Sequence, residues 1–254
     1  MVQLDSLVSG STKLTLGKKT MESNFQIKEI SSLDDTQFQE AYRIYEKVFA
    51  PELRIGLGGF ARVINSRKLG QDQHIVVASF NETVVGMATF GYFQKLNVGF
   101  IGYIMIDTQW ENKGLGTKLF NNLEESLLQD AKRQGKSGPD AVIFEVEKSE
   151  LAQTDAQRQI DLRRIRFFRS VGGQIINAQY FQPSLGAGLN PVELNLMVHI
   201  TTPGFELTRA WLITLANHIY ENVYAVKSKL KLQKMMKYKR VFESSLPENK
   251  LLKD

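Results

Sequence analysis

The chain has 254 residues, of which 43% are hydrophobic and 23% are charged, and its formal net charge is +5. This composition is typical of a soluble globular protein, and the length suits one large domain or a domain with an extension. No apolar run approaches the ~18 residues of a membrane span, and the N-terminus lacks the layout of a signal peptide. There are no cysteines, which excludes disulfides and thiolate chemistry, and the three histidines lack metal-ligand spacing. We therefore expect a cytoplasmic protein without a structural metal.

The first part of the chain changes from an irregular segment to clear periodic patterns. Residues 1–24 are rich in Ser, Thr, Lys and Gly, which predicts a mobile tail or, alternatively, a short docked strand. Residues 25–30 alternate as a strand does, and aromatic residues then recur at helical spacing from Phe38 to Phe49. We predict that this aromatic stripe packs in the core. The next patterns predict a short helix and two strands joined by a tight turn: residues 60–69, 74–80 and 83–92.

Residues 99–128 have the pattern of a strand, a glycine loop and a helix. Ten mostly apolar residues precede Gly114 and Gly116, and leucines then recur at helical spacing as far as Leu127. Free backbone N–H groups at a helix N-terminus bind phosphate, and glycine lets the backbone approach closely. Neither the P-loop string nor the complete Rossmann fingerprint is present. The stretch therefore predicts a phosphate-binding loop of another kind, with an incidental turn as the alternative.

The remaining patterns complete an alternating order of strands and helices. They predict a strand, a helix and two further strands: residues 141–146, 154–171, 174–181 and 192–200. The order over residues 25–200 is β-α-α-β-β-β-α-β-α-β-β, without an internal repeat.

Two local strings resemble those of the GNAT (GCN5-related N-acetyltransferase) superfamily. Residues 111–116 resemble its phosphate loop, Arg/Gln-x-x-Gly-x-Gly/Ala, although Glu111 replaces the usual Arg or Gln. Residues 164–173 resemble its late-helix signature, Ala-x-x-x-Tyr-x-x-x-Gly-Phe. The separation of the two strings and the order of elements agree with that family.

The resemblance implies a fold of class α/β (α+β), the GNAT fold, with a mixed central sheet of six to seven strands flanked by helices. The acyltransferase domain would occupy residues 25–202, between the N-terminal tail and a basic helical extension at residues 203–254.

The resemblance also implies an N-acyltransferase, in which a neutral amine attacks the thioester of acetyl-CoA, a longer acyl-CoA or an acyl carrier protein. Backbone groups of the central strand would hold pantetheine: Ile104, Met105 and Ile106. The pyrophosphate would lie on the loop: Asn112, Lys113, Gly114, Leu115, Gly116 and Thr117. The alternative is a catalytically weak CoA- or thioester-binding module that recruits a partner through the basic helix.

The chain departs from the family at the residues expected to transfer protons. The family's usual tyrosine, which protonates the thiolate, falls on Phe168, and the asparagine seven residues earlier falls on Asp161. The central strand has no glutamate, and Tyr103 is its only titratable side chain before the turn residue Asp107. Tyr103 and Tyr180 are therefore the candidate acids.

For the base we predict Glu145. Glu145 and Glu147 lie two apart in a strand, so they point to one face of the sheet. A carboxylate in an apolar strand is costly unless it has a partner or a function. A solvent-exposed strand end or pairing with a nearby arginine would also explain them, and His74 and His199 are the alternative bases.

The end of the chain predicts one long amphipathic helix with a basic second half. Apolar residues recur at helical spacing from Leu207 to Leu230, and seven cations lie between Lys227 and Arg240. The helix could pack on the domain with a solvated basic face. It could also dock an acidic partner, such as an acyl carrier protein or an acidic peptide, or lie on a membrane surface. Nucleic acid is not expected, because the rest of the chain is not strongly basic.

The stretch from Tyr180 to Pro191 is similar to one in larger bacterial GNAT relatives, with the pattern Tyr-x-Gln-Pro-x-Leu-Gly-x-Gly. This similarity implies a peptide substrate or a long acyl chain. The expected acceptor is an amine of a small molecule or a peptide, and a homodimer is among the expected assemblies.

Overall fold

The structure, a computed structural model, describes residues 24–68, 72–225 and 232–253. The predicted N-terminal tail therefore lies outside the described residues, except for Asn24. The same holds for three of the seven cations of the predicted basic helix: Lys227, Lys229 and Lys231. Within the described ranges, no helix has the length and apolar character needed to cross a membrane.

Eight strands form a single sheet. They are β1 (Phe25–Glu29), β2 (Gln73–Phe80), β3 (Thr83–Phe93), β4 (Val98–Ile106), β5 (Ala141–Glu147), β6 (Gln174–Ile175), β7 (Tyr180–Gln182) and β8 (Val192–Ile200). The strand order is β1-β2-β3-β4-β5-β8-β6, and β7 also pairs with β8. All neighbours are antiparallel except β4 and β5, which are parallel. The predicted fold class is confirmed, with eight strands instead of six to seven.

Six α-helices of the described ranges flank the sheet. They are α1 (Thr36–Val48), α2 (Leu57–Lys68), α3 (Leu115–Arg133), α4 (Asp155–Ser170), α5 (Arg209–His218) and α6 (Leu232–Ser245). A π-helix, Ile219–Tyr224, continues α5. The second helix thus begins at Leu57, three residues before the predicted start.

The helices cover the two faces of the sheet. On one face, α3 and α4 pack on side chains such as Ile101 and Phe144. On the other face, α1 and α2 cover β2 and β3, and the helices after residue 208 cover β5 and β8. The aromatic stripe of α1 packs in this core as predicted, because Phe38 and Tyr45 are fully buried.

The prediction of one strand over residues 174–181 was wrong. Residues between β6 and β7 leave the sheet because their backbone groups bond to the end of the chain. The N–H of Asn177 donates to the carbonyl oxygen of Leu251 at 2.7 Å, and the N–H of Gln179 donates to Ser245 Oγ at 2.8 Å. These long-range partners cannot be read from a local pattern.

The prediction of one long C-terminal helix was also wrong, because α6 returns along α5. Arg209, at the start of α5, donates to the carbonyl oxygens of Glu243 and Leu246 near the end of α6. Lys239 pairs with Glu221 of the π-helix. Apolar residues of α5, the π-helix and α6 pack on the sheet and on each other. One straight helix could not make both sets of contacts.

The sheet opens between β4 and β5. These strands pair only from Val98 with Ala141 to Ile101 with Phe144. A bulge follows on β4, where Gly102 is the additional residue opposite β3. Beyond the bulge, β4 remains paired with β3 and β5 remains paired with β8, so a gap separates the two central strands.

Candidate functional site

A cavity of about 630 Å³ lies where β4 and β5 diverge. Its walls come from these two strands, the end of α1, helix α4 and the loop before α3. Seven of the nine residues expected to hold the thioester line it: Ile104, Met105, Ile106, Asn112, Gly114, Gly116 and Thr117. Lys113 and Leu115 are not among its lining residues. The side chain of Leu115 packs in the core instead.

The loop at one end of the cavity is shaped by local backbone conformation. Asp107 accepts a hydrogen bond from the N–H of Gln109 and caps a short 3-10 turn, in agreement with its predicted role as a turn residue. Asn112 and Gly114 then adopt positive φ of 61° and 74°. Helix α3 begins directly after Gly114, and no side chain caps its N-terminus. The first N–H groups of α3 can therefore bind an anion.

Charges around this loop explain how it tolerates Glu111. Arg163 of α4 donates to the Glu111 carboxylate at 2.9 Å, which neutralises it. Lys113 lies over the Trp110 ring, 4.3 Å from its centroid, and Arg166 is an exposed residue of the cavity wall. Arg163 of α4 thus compensates the acid that stands at the first loop position in this chain. The uncapped helix and the exposed Arg166 make this end of the cavity suited to an anion.

Glu145 lies at the other end of the cavity and accepts hydrogen bonds from two phenols. Tyr180 of β7 donates to one carboxylate oxygen, and the hydroxyl of Tyr224 lies 2.5 Å and 2.6 Å from the two oxygens. Burial raises the pKa of both phenols well above the ordinary value, and the charge of Glu145 raises them further. Both tyrosines therefore stay protonated and act as donors.

Glu147 also lines the cavity, as its spacing from Glu145 predicted. Arg164 donates to its carboxylate and to the carbonyl oxygen of Val48, the latter at 2.9 Å. Burial raises the pKa of Glu147, and the charge of Arg164 opposes that shift. Glu147 is thus part of a tie between β5, α4 and α1, whereas Asp161 is buried and bonded to Gln157.

The two aromatic positions discussed for proton donation differ in chemistry. Tyr103 lines the cavity and donates its hydroxyl to the carbonyl oxygen of Leu53 at 2.6 Å. Burial raises the pKa of Tyr103. Phe168 stacks on Phe144 with the ring centroids 4.2 Å apart, so this wall carries a phenyl ring where the family has a phenol.

The structure does not bring His74 or His199 to this cavity. His74 lies between Glu29 and Asp130, with its ring nitrogens 3.1 Å and 3.0 Å from their carboxylates. Burial lowers the pKa of His74, but hydrogen bonds and charge from the two acids outweigh it and raise the pKa to about 9. A histidine that is already protonated at neutral pH cannot accept another proton. His199 pairs with Glu124 at 3.2 Å.

A second cavity, of about 860 Å³, lies on the face that α2 and the π-helix share. Thr89 and Gly91 of β3 form part of its lining, together with His218 at the end of α5. Gly102 lines both cavities, so the two meet at the bulge of β4.

Sequence reasoning missed Tyr224 and the pairing of Arg163 with Glu111. Tyr220 and Tyr224 do recur at helical spacing, but this spacing is equally typical of a core stripe. Tyr224 and Glu145 are 79 positions apart, and no local pattern links them.

The diverging strands, the bulge and the glycine loop at the start of α3 define a GNAT fold. Residues 33–136 match the family model described as the Acetyltransferase (GNAT) family, which is the family that the two motifs resemble. No curated protein matches the chain.

Several solved structures are similar. A GNAT family protein from Bacteroides thetaiotaomicron is 16% identical, with a TM-score of 0.54 over 81% of this chain and 99% of that chain. Salmonella typhimurium yncA with its cofactor acetyl-CoA is 20% identical, with a TM-score of 0.48 over 73% and 98%. A GNAT family acetyltransferase from Elizabethkingia anophelis with acetyl-CoA bound is 13% identical, with a TM-score of 0.44 over 70% and 99%. At these identities the likeness concerns the fold alone.

Proposed function

We propose that the protein is an N-acyltransferase that moves an acyl group from a CoA thioester to an amine. One observation carries this proposal: the uncapped N-terminus of α3 and the carboxylate of Glu145 line the same cavity between β4 and β5. The loop supplies binding for a negatively charged nucleotide, and Glu145 supplies an acceptor for the proton of the amine.

The cavity offers complementary groups along the length of a CoA thioester. Backbone N–H groups of residues 114–117 would bind the pyrophosphate, and Arg166 adds positive charge beside them. Backbone groups of residues 104–106 on the open edge of β4 would hold the pantetheine arm, because β5 does not pair with them. Acetyl-CoA and longer acyl-CoA both remain candidate donors.

The proposed reaction needs three events around the thioester carbonyl. The ammonium of the acceptor loses a proton to Glu145, and the neutral nitrogen attacks the carbonyl carbon. The C–N bond forms as the C–S bond breaks, and backbone donors near the bulge stabilise the oxyanion. The sulfur leaves as a thiolate, and the nitrogen loses its second proton as the amide forms. That proton passes through water to the thiolate, because Phe168 cannot donate one; a thiol pKa of about 8.5 makes this step accessible.

The acceptor would enter through the second cavity, which reaches Gly102 from the opposite side of the opening. This arrangement brings donor and acceptor together at the bulge from separate entrances. The cavity has the volume of a small-molecule site, about 300–1,000 Å³, and a peptide end would also fit it.

Calorimetric titration with CoA tests the binding part of the proposal. Gly114→Asp places a side chain and a negative charge at the phosphate loop, and we expect CoA affinity to fall about 100-fold or more. Gly135→Asp is the matched control, because Gly135 has the same φ of 74°, equally open surroundings and a position at the other end of α3. Equal CoA affinity of the two folded variants would contradict the assignment.

A second candidate function is a catalytically weak CoA- or thioester-binding module. Phe168 favours it, since the cavity carries a phenyl ring at the position where the family has its acid. Release of free thiol from acetyl-CoA with a panel of amines separates the two candidates. Tight CoA binding without thiol release for any amine would favour the module.

We also propose that α6 docks an acidic partner, either an acyl carrier protein or an acidic peptide. Lys234, Lys237 and Arg240 are exposed on it. Reversing these three charges to Glu should slow transfer with such a partner at low salt and leave CoA binding unchanged. Reversal of Lys132, Lys136 and Lys253, three exposed lysines elsewhere, is the control with the same change in net charge. Equal effects of the two triple variants would contradict a docking site on α6.

A further inference from the structure

The carboxylate of Glu145 is held from two directions by elements that are distant in the chain. Tyr180 reaches it from β7, and Tyr224 reaches it from the π-helix after α5. Neither tyrosine lines the cavity, since Tyr180 is fully buried and Tyr224 is 3% exposed. The tyrosines therefore act on the cavity only through Glu145.

We propose that Tyr224 is a positioning residue, which fixes the carboxylate of Glu145 toward the cavity and so makes the C-terminal part of the chain necessary to the site. The catalytic consequence rests on the proposed function, whereas the positioning itself does not.

The π-helix explains how two neighbouring tyrosines reach different strands. The N–H of Ala225 donates to the carbonyl oxygen of Tyr220, five residues earlier, which is the bonding of a π-helix. The hydroxyl of Tyr220 donates to the carbonyl oxygen of Phe181 at 3.1 Å and holds the helix against β7. The hydroxyl of Tyr224 points to Glu145 of β5 instead. Wide turns of this kind are frequent at functional sites.

The two tyrosines of the π-helix provide a matched pair of substitutions. Tyr220 is fully buried, stacks with Tyr180 and has a bonded hydroxyl, but that hydroxyl does not bond Glu145. Replacing either tyrosine with Phe keeps the ring and removes the hydroxyl with its hydrogen bonds. A merely structural role of Tyr224 would make the two variants alike.

The direction in which the pKa of Glu145 changes follows from the fact that a phenol donates to the ionised carboxylate. A donor favours the ionised carboxylate, so its removal raises the carboxyl pKa. Among the described residues, the other titratable groups around Glu145 include Tyr103 of β4, Tyr220 of the π-helix, the pair of Glu147 with Arg164, and Lys47 at the cavity wall. None of them is changed by Tyr224→Phe, so a shift in the titration of Glu145 in that variant reports on the lost phenol, and Tyr220→Phe measures the effect of removing a nearby phenol that does not bond Glu145.

Carbon-13 NMR of protein labelled at glutamate carboxyls measures this titration without any ligand, with Glu145→Gln to assign the signal. In Tyr224→Phe we expect the midpoint of Glu145 to rise by about one to two pH units. In Tyr220→Phe we expect it to stay within a few tenths of a unit. An unchanged midpoint in Tyr224→Phe, or the same shift in both variants, would overturn the proposal.

A second measurement on the unsubstituted protein covers the case in which Tyr224→Phe fails to fold. The ring carbon that bears the Tyr224 hydroxyl should change its chemical shift with the midpoint of Glu145, and the same carbon of Tyr220 should not. A Tyr224 signal that ignores the titration of Glu145 would overturn the proposal equally.

The pH dependence of acyl transfer then separates positioning from the proposed reaction. If Glu145 accepts the proton of the amine, the acidic limb of kcat/KM moves with the NMR midpoint in Tyr224→Phe. If the NMR midpoint moves and the acidic limb does not, the positioning by Tyr224 stands and the role of Glu145 as the base fails.

Discussion

Two acidic side chains of this protein lie in well-bonded surroundings, but their partners differ in charge. Asp130 is fully buried and bonds to His74 and Arg133, both of which can carry positive charge. Glu145 bonds to the neutral phenols of Tyr180 and Tyr224 and lines the cavity between β4 and β5. A cationic partner neutralises the charge of a carboxylate. A phenol orients the carboxylate by a hydrogen bond but does not neutralise it.

From this difference we propose that the Asp130 cluster is structural and that the Glu145 cluster is functional. The Asp130 cluster ties α3 to β2, and its charge is balanced within the fold. A carboxylate that is oriented by neutral donors and faces a cavity is suited to interact with a cationic group that enters, such as an ammonium. Hydrogen bonding alone does not distinguish the two sites, because the carboxylates of Asp130 and Glu145 both accept hydrogen bonds from side chains.

The largest expected effect is on turnover when Glu145 is changed. Glu145→Gln keeps the shape of the side chain and removes the proton acceptor, so kcat/KM for acyl transfer should fall about 100- to 10,000-fold. Asp130→Asn is the control, with turnover per folded molecule unchanged. Thiol release with a reactive amine measures the turnover of both variants. Similar turnover of the two would contradict the distinction between the clusters.

The next effect is a pH dependence of stability that belongs to the Asp130 cluster. The pKa of His74 is raised to about 9 in the folded state, from 6.5 when unfolded. Its contribution is therefore complete below pH 6.5 and is lost as the pH rises through 9, with a decrease of up to about 3 kcal/mol in the free energy of unfolding. Urea unfolding from pH 6 to 10 measures it, and His74→Gln should flatten the curve. A wild-type curve that rises over this range would contradict the assignment.

A smaller effect is expected on stability when Asp130 itself is neutralised. Asp130→Asn leaves His74 with Glu29 alone and Arg133 with Asp72 alone, so the loss should be about 1–3 kcal/mol. Denaturant unfolding at pH 7 gives this value. Glu145→Gln should lose less, because the amide oxygen still accepts from the phenols. A larger loss of stability in Glu145→Gln than in Asp130→Asn would contradict this account, because it would make Glu145 the more important residue for stability.

The smallest effect concerns the wall opposite Glu145. Phe168→Tyr restores the family's phenol, yet we expect the rate of acyl transfer to change no more than about threefold, since a thiolate with a pKa of about 8.5 leaves without an acid. Single-turnover kinetics with acetyl-CoA measure the chemical step. A gain of more than tenfold would show that protonation of the thiolate limits this protein.

The strand, glycine loop and helix at residues 99–128 could be predicted from the sequence because their determinants are local. Gly114 and Gly116, the strand before them and the leucines after them all lie within thirty positions. The order of elements along the chain followed from the same kind of local periodicity, together with the family resemblance. The strand at 174–181 failed because Leu251 and Ser245 take its hydrogen bonds.

The end of the cavity at Glu145 could be predicted only in part. Glu145 could be singled out from the sequence because a carboxylate in an apolar strand is unusual. Its partner Tyr224 was not, because a π-helix places it and no pattern distinguishes that helix from a regular one. His74 was a reasonable candidate by residue type, but only the structure shows the two acids that keep it protonated.

A crystal structure of the protein soaked with CoA tests the central claim most directly. The account predicts the pyrophosphate within hydrogen-bond distance of the backbone N–H groups of residues 114–117 and the pantetheine arm between β4 and β5. It also predicts that the sulfur lies at the bulge, on the side of the cavity that Glu145 faces. A nucleotide bound elsewhere, or a sulfur directed away from Glu145, would contradict the account.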